Sequence, residues 1–193
     1  MMLDTISKKF HAWATGWRVI ILMIAESLLM FYIMPLAAGI MAFAANNSVL
    51  PLDLMFFYTP AQAFEMIDKY GEAGRSVYLK LWLPADIIHP ILYTLFFGLL
   101  LSWLFQRAFQ PESNMQRWNV MPAGAWLFDM LENAGIVSML MMYPSRPEIM
   151  AWLTMLFGSL KWAFVVVTMV LVLVGLVRAA MNGFRKHTEF VRV

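Results

Sequence analysis

Residues 149–177, IMAWLTMLFGSLKWAFVVVTMVLVLVGLV, form an apolar run interrupted by one charged residue, Lys161. A hydrocarbon core about 30 Å thick is crossed by about 20 apolar helical residues, so this run predicts a membrane-spanning helix with a lysine near its middle. Working toward the N-terminus, similar runs cover 120–143, 83–105 and 19–45. The first, Val19–Ala45, holds Glu26 and Pro35, a residue that membrane helices tolerate as a kink. Ala42-Phe43-Ala44 resembles a signal-peptide cleavage site, but the apolar part of a signal peptide runs to only about 15 residues and this run is much longer.

The expected fold is therefore all-α, a polytopic membrane protein with four transmembrane helices forming a single domain over 1–193. Composition agrees, because 62% of the 193 residues are hydrophobic and 13% charged, whereas soluble domains are roughly half apolar. No cysteine is present, which removes disulfides, thiolate nucleophiles, iron–sulfur clusters and cysteine zinc sites. No basic stretch interleaved with stacking aromatics points to nucleic acid. Membrane lipids are the expected partners, and small residues on the first span (Ala38, Gly39, Ala42) would permit close helix contact in a homo-oligomer or larger membrane complex.

Lys8, Lys9, Arg18, Arg107, Arg117, Arg178, Arg185, Lys186 and Arg192 fall on one side of this arrangement, and Lys69, Arg75, Lys80 and Arg146 on the other. Positive charge collects on the cytoplasmic side, so both termini are expected there, with a bacterial inner membrane as the setting. Trp13, Trp17, Trp118 and Trp126 suit an inner aromatic belt, and Tyr58, Tyr78, Trp82, Tyr143 and Trp152 an outer one. Leu3, Ile6, Phe10, Trp13 and Trp17 recur at helical spacing, so 1–17 is expected as an interfacial helix. Residues 46–82 are expected as an outer helical loop. Thr59-Pro60-Ala61-Gln62 is a capping box with proline at the first helical position, and Gly71 offers a left-handed stop.

Ionisable groups inside spans cost about 3 kcal/mol each on insertion scales, so they face the bundle interior and often mark function. Here they are Glu26 in span one, Asp86 and His89 in span two, Asp129 and Glu132 with Asn133 in span three, and Lys161 in span four. Asp86 and His89 share one helix face, as do Asp129, Glu132 and Asn133. Lys161 is expected to pair with the span-three acids, in a network with Asn133 and, if spans one and three are neighbours, Glu26. That network either fixes helix register alone or belongs to a binding site. Asp86 and His89 lie roughly 10–14 Å from the span midpoint by helical rise, so they need not share it. They read as a hydrogen-bonded pair, a base with its orienting partner, or two metal ligands.

A dinuclear carboxylate centre needs two E-x-x-H-type pairs and only one D-x-x-H is present. Bis-histidine haem within one subunit is excluded, because His89 is the only histidine in a span. No metal is expected, and no cofactor is identifiable. The 18 methionines scatter through every span and read as packing groups.

Tyr58-Thr59-Pro60, Gly71, Gly74-Arg75, Tyr78, Asp86, Pro90, Tyr93, Asp129 and Glu132-Asn133 together resemble small four-span bacterial membrane proteins of unknown function. The resemblance implies a topology, and treats Arg75 in the outer loop, Asp86, Asp129 and Glu132 as a set. Three functions remain in view. One is binding of a lipid or apolar ligand, or service as an accessory subunit. The second is an intramembrane enzyme acting on a lipid or isoprenoid with Asp86, His89, Asp129 and Glu132 as acid and base groups. The third is proton or ion transfer.

Overall fold

The computed structural model describes residues 2–190, with the side chains of residues 2 and 184–190 outside the description. Five helices make up the described chain: α1 (Met2–Trp13), α2 (Gly16–Ala45), α3 (Pro60–Ala108), α4 (Met121–Met141) and α5 (Glu148–Phe190). α2, α3 and α5 are long and apolar enough to cross a membrane, the last over Glu148–Gly183. The expectation of four spans is thus corrected to three. α4 does not qualify, because Asp129, Glu132 and Asn133 dilute its apolar content, and all three are buried against its neighbours.

Prolines shape the two N-terminal long helices. A proline has no N–H to donate and its ring crowds the carbonyl four residues back. In α2 a π-helical turn at Leu29–Ile33 absorbs this just ahead of Pro35, and in α3 another at Tyr78–Trp82 does so ahead of Pro84. Gly71 bends α3 at φ 59°, a left-handed conformation that glycine adopts without steric cost. The capping box forms: the Thr59 N–H donates to Gln62 Oε1 at 2.8 Å and the Gln62 N–H to Thr59 Oγ1 at 3.3 Å.

The expected outer helical loop is corrected as well. Residues 60–82 are the first half of α3, with Ala63, Phe64, Ile67 and Tyr70 turned into the main core. The preceding stretch dips inward through a 3₁₀ turn, Leu52–Leu54, burying Leu52 and Asp53. Tyr58, Tyr78 and Trp82, expected in an outer aromatic belt, are core residues. Their polar tips reach inward because a buried carboxylate accepts from two of them, as described below. Trp13, Trp17, Trp118, Trp126, Tyr143 and Trp152 do lie exposed.

α1 is not held by its apolar stripe alone, as an interfacial helix would be. It docks on the bundle through buried Ser7, through Phe10 against Gly98 of α3, and through His11 Nε2, which lies 3.0 Å from the Gln116 carbonyl. Gln106 of α3 donates to the His11 carbonyl at 2.9 Å, and Asn182 of α5 to the Arg107 carbonyl at 3.0 Å. These contacts bring α1, the C-terminal end of α3 and the far end of α5 together, and with them Lys8, Lys9, Arg107, Arg117 and Arg178. Arg185, Lys186, His187 and Arg192 fall outside the described side chains.

α4 packs closely on α5, and α3 touches α2, α4 and α5. The α4–α5 approach depends on small residues: a Cβ on Gly124 would overlap the Phe164 ring, and one on Gly135 would overlap Thr154. α2 rests on α3 and stands off from α4 and α5. Its outward face (Ile20, Ile24, Leu28, Phe31) and that of α5 (Val166, Val170, Leu173, Val177) are exposed and apolar. An apolar surface this extensive fits a membrane-associated helical bundle with lipid against it. Replacing Gly135 with valine is expected to force α4 from α5 and cost roughly 1–3 kcal/mol, read as a fall in Tm of the detergent-solubilised protein. An unchanged Tm would contradict the close packing.

Candidate functional site

The space between the standing-off α2 and the α4–α5 pair, floored by α3, is a cleft of about 480 Å³. Every helix except α1 contributes to its wall, together with Asp53 and Leu54 from the inward-dipping turn. Its floor is polar and its sides are apolar, formed by Met30, Phe31, Met34, Phe97, Val165 and Met169. The mouth lies among lipid-facing groups, since Phe31 is 70% exposed and Leu54 41%.

At one end of the floor Lys161 of α5, 7% exposed, places Nζ 2.6 Å from Glu132 Oε2 and 3.7 Å from Asp129 Oδ1, both on α4. It also donates to the Asp53 carbonyl at 3.4 Å. Room for the Glu132 carboxylate comes from Gly158, one turn before Lys161, where a Cβ would overlap Glu132 Oε1. Asp129 Oδ2 in turn accepts from the Tyr93 hydroxyl at 3.2 Å. The Asp53 side chain accepts from the Tyr78 hydroxyl at 2.9 Å and Trp82 Nε1 at 3.0 Å, both on its Oδ1. Buried carboxylates are stable only with such partners, and each of these three has one.

At the other end His89 of α3 holds Glu26 of α2, Nε2 to Oε1, at 2.9 Å. The His89 ring meets Tyr93 edge to face, with centroids 5.3 Å apart. Asp86, one turn earlier on α3, is 4% exposed and its Oδ2 has no hydrogen-bond partner. The Asn133 amide lies beside it without completing a hydrogen bond. Pro90 has no N–H to give the Asp86 carbonyl four residues back.

Lys161, Asp129 and Glu132 therefore meet, and Asp86, His89, Glu26 and Asp129 line one cleft. Glu26 pairs with His89, because α2 neighbours α3, and the expected link from Glu26 to the Lys161 cluster does not form. Asp86 and His89 share the cleft with the Lys161 cluster, since the Asp53 turn, Trp82 and Tyr93 close the axial distance between them. Arg75 lies elsewhere, its guanidinium stacked 3.8 Å above the Tyr143 ring. Asp53, Tyr78, Trp82, Tyr93 and Gly158 were not among the expected site residues. A lone acid inside the apolar stretch 49–57 and a glycine one turn from a buried lysine were the available signals. Among the described residues no group of three or more His, Asp or Glu is arranged to hold a metal ion.

Comparison with protein-family models, with curated proteins and with solved structures gives no match for this chain. The resemblance to small four-span membrane proteins is corrected accordingly: three helices qualify as membrane-crossing, and no family supports the grouping.

Removing the cation from this cluster leaves buried carboxylates uncompensated, which typically costs roughly 3–5 kcal/mol. Lys161→Met is expected to lose stability on that scale in detergent unfolding, and adding Glu132→Gln to the same chain is expected to recover part of it. A loss below about 1 kcal/mol would place the pair in a water-like setting.

Proposed function

We propose that this protein binds a single amphiphile that enters the cleft sideways from the lipid phase, tail against the apolar walls and head on the polar floor. The observation that carries the reading is the junction of an apolar mouth, framed by exposed Phe31 and Leu54, with a floor of Glu26, Asp86, His89 and Asp129. Binding sites of this kind are mostly apolar with a few polar groups that fix orientation, and their volumes run to several hundred Å³. A structural network alone would need the Lys161 cluster but not a cleft beside it. The basic residues gathered at the α1 end support placing that end toward the cytoplasm.

A catalytic reading stands second, because Asp86, His89 and Asp129 line the same space and general acid–base chemistry needs such groups within reach of one bound head.

Native mass spectrometry of the protein released from neutral maltoside micelles with 1-dodecanol is the direct check. One retained chain per protein is expected, and Ala38→Trp, which places an indole in the tail room, is expected to lower retention at least tenfold. Absence of any retained chain, or equal retention by the variant, would contradict the reading. Recovery of the probe at an altered mass would favour the catalytic one.

A further inference from the structure

The floor of the cleft is unbalanced. Glu26, Asp53, Asp86 and Asp129 line it and Glu132 sits directly behind, whereas Lys161 and His89 are the basic side chains among the described lining residues. The partners of four of the five acids have been described: Lys161 for Glu132 and Asp129, Tyr78 and Trp82 for Asp53, and His89 for Glu26. Asp86 has no cation of its own, and the Asn133 amide lies beside it. Its Oδ2 is buried without a hydrogen-bond partner, as is Oε2 of Glu26, the acid held by the histidine one turn from Asp86. An unpaired buried polar atom costs about 1–3 kcal/mol and more when charged, and these two carboxylate oxygens belong to residues that line one cleft, as does the unpaired Trp162 Nε1 across it.

We infer that the head group this cleft takes is a primary ammonium, donating to Asp86 Oδ2 and Glu26 Oε2, on an apolar body without an anionic group. The assignment rests on the amphiphile reading above. A carboxylate or phosphate head would set a further acidic group against a floor whose carboxyl groups already outnumber its basic ones. A hydroxyl head could donate once and would bring no cation to the surplus of carboxyl groups. A quaternary ammonium carries the right charge but no N–H. The aromatic walls agree, since Trp82, Tyr93 and Phe97 line the cleft and ring faces attract cations. The ammonium of phosphatidylethanolamine has the same donors, but its phosphodiester would sit against the acids.

The test offers the full-length protein in neutral maltoside an equimolar mixture of dodecylamine, dodecyltrimethylammonium, 1-dodecanol and dodecanoate, and reads bound masses by native mass spectrometry. Dodecylamine is expected as a single adduct, retained at least tenfold over each of the others and not displaced by an equal concentration of phosphatidylethanolamine. Asp86→Asn is expected to lower dodecylamine retention at least tenfold, to no more than the retention of dodecanol measured on the same variant. Glu26→Gln provides the same readout if Asp86→Asn fails to elute like the wild type. Equal retention of dodecanol and dodecylamine by the wild type overturns the head-group assignment and leaves the amphiphile reading standing, and retention of none of the chains overturns both. Displacement by phosphatidylethanolamine, or an amine preference that survives both substitutions, also overturns the assignment.

Discussion

Lys161 carries its ammonium 2.6 Å from the Glu132 carboxylate inside a bundle whose outer faces are apolar. Neither charge is stable there alone, and their mutual attraction in low dielectric offsets desolvation only when the geometry is close. Much of the packing around them serves that closeness. Gly158 clears the place of the carboxylate, Gly135 and Gly124 let α4 approach α5, and the Asp53 turn dips inward to present its carbonyl to the ammonium. α4 can therefore hold three polar residues in its middle without being a long apolar helix. Its register against α5 is set by ion pairing and glycine contacts together.

The same arrangement leaves α2 apart. Because α4 is committed to α5, and α3 lies across both, α2 finds its neighbour in α3, and among the described residues Glu26 to His89 is the ion pair across that seam. The π-helical turn ahead of Pro35 sits beside the cleft, with Met30 and Phe31 from that turn on its wall. The buried ion pairs and the cleft beside them thus come from one constraint. The polar groups that hold the interior are also the floor that an incoming ligand would meet.

Several of these features were legible in the residues and several were not. The capping box at Thr59, the left-handed Gly71 and the meeting of Lys161 with the acids of α4 follow from short-range spacing and from the cost of a buried charge. The partner of Glu26 does not follow, because a helical wheel gives the face a residue occupies but not the neighbouring helix. Asp53 stands out as a lone acid in an apolar stretch, but its partners do not follow from that: its donors, Tyr78 and Trp82, are 25 and 29 positions away. Their aromatic character suggests a membrane interface as readily as a core. α4 reads as a span because 120–143 is an apolar run of the right length, whereas Asp129, Glu132 and Asn133 lower the mean apolarity of the helix.

If Asp86 and Glu26 mark the head end of a ligand cleft open to lipid, a bound amphiphile lies with its head on them and its tail toward the mouth. The most direct measurement is anomalous X-ray diffraction from crystals grown with 12-bromododecylamine. The expected result is one bromine peak near Phe31 and Met169 at the cleft mouth, with density for the amine at Asp86 Oδ2. Bromine found only along the outer faces of α2 and α5, with nothing beside Asp86, would contradict it.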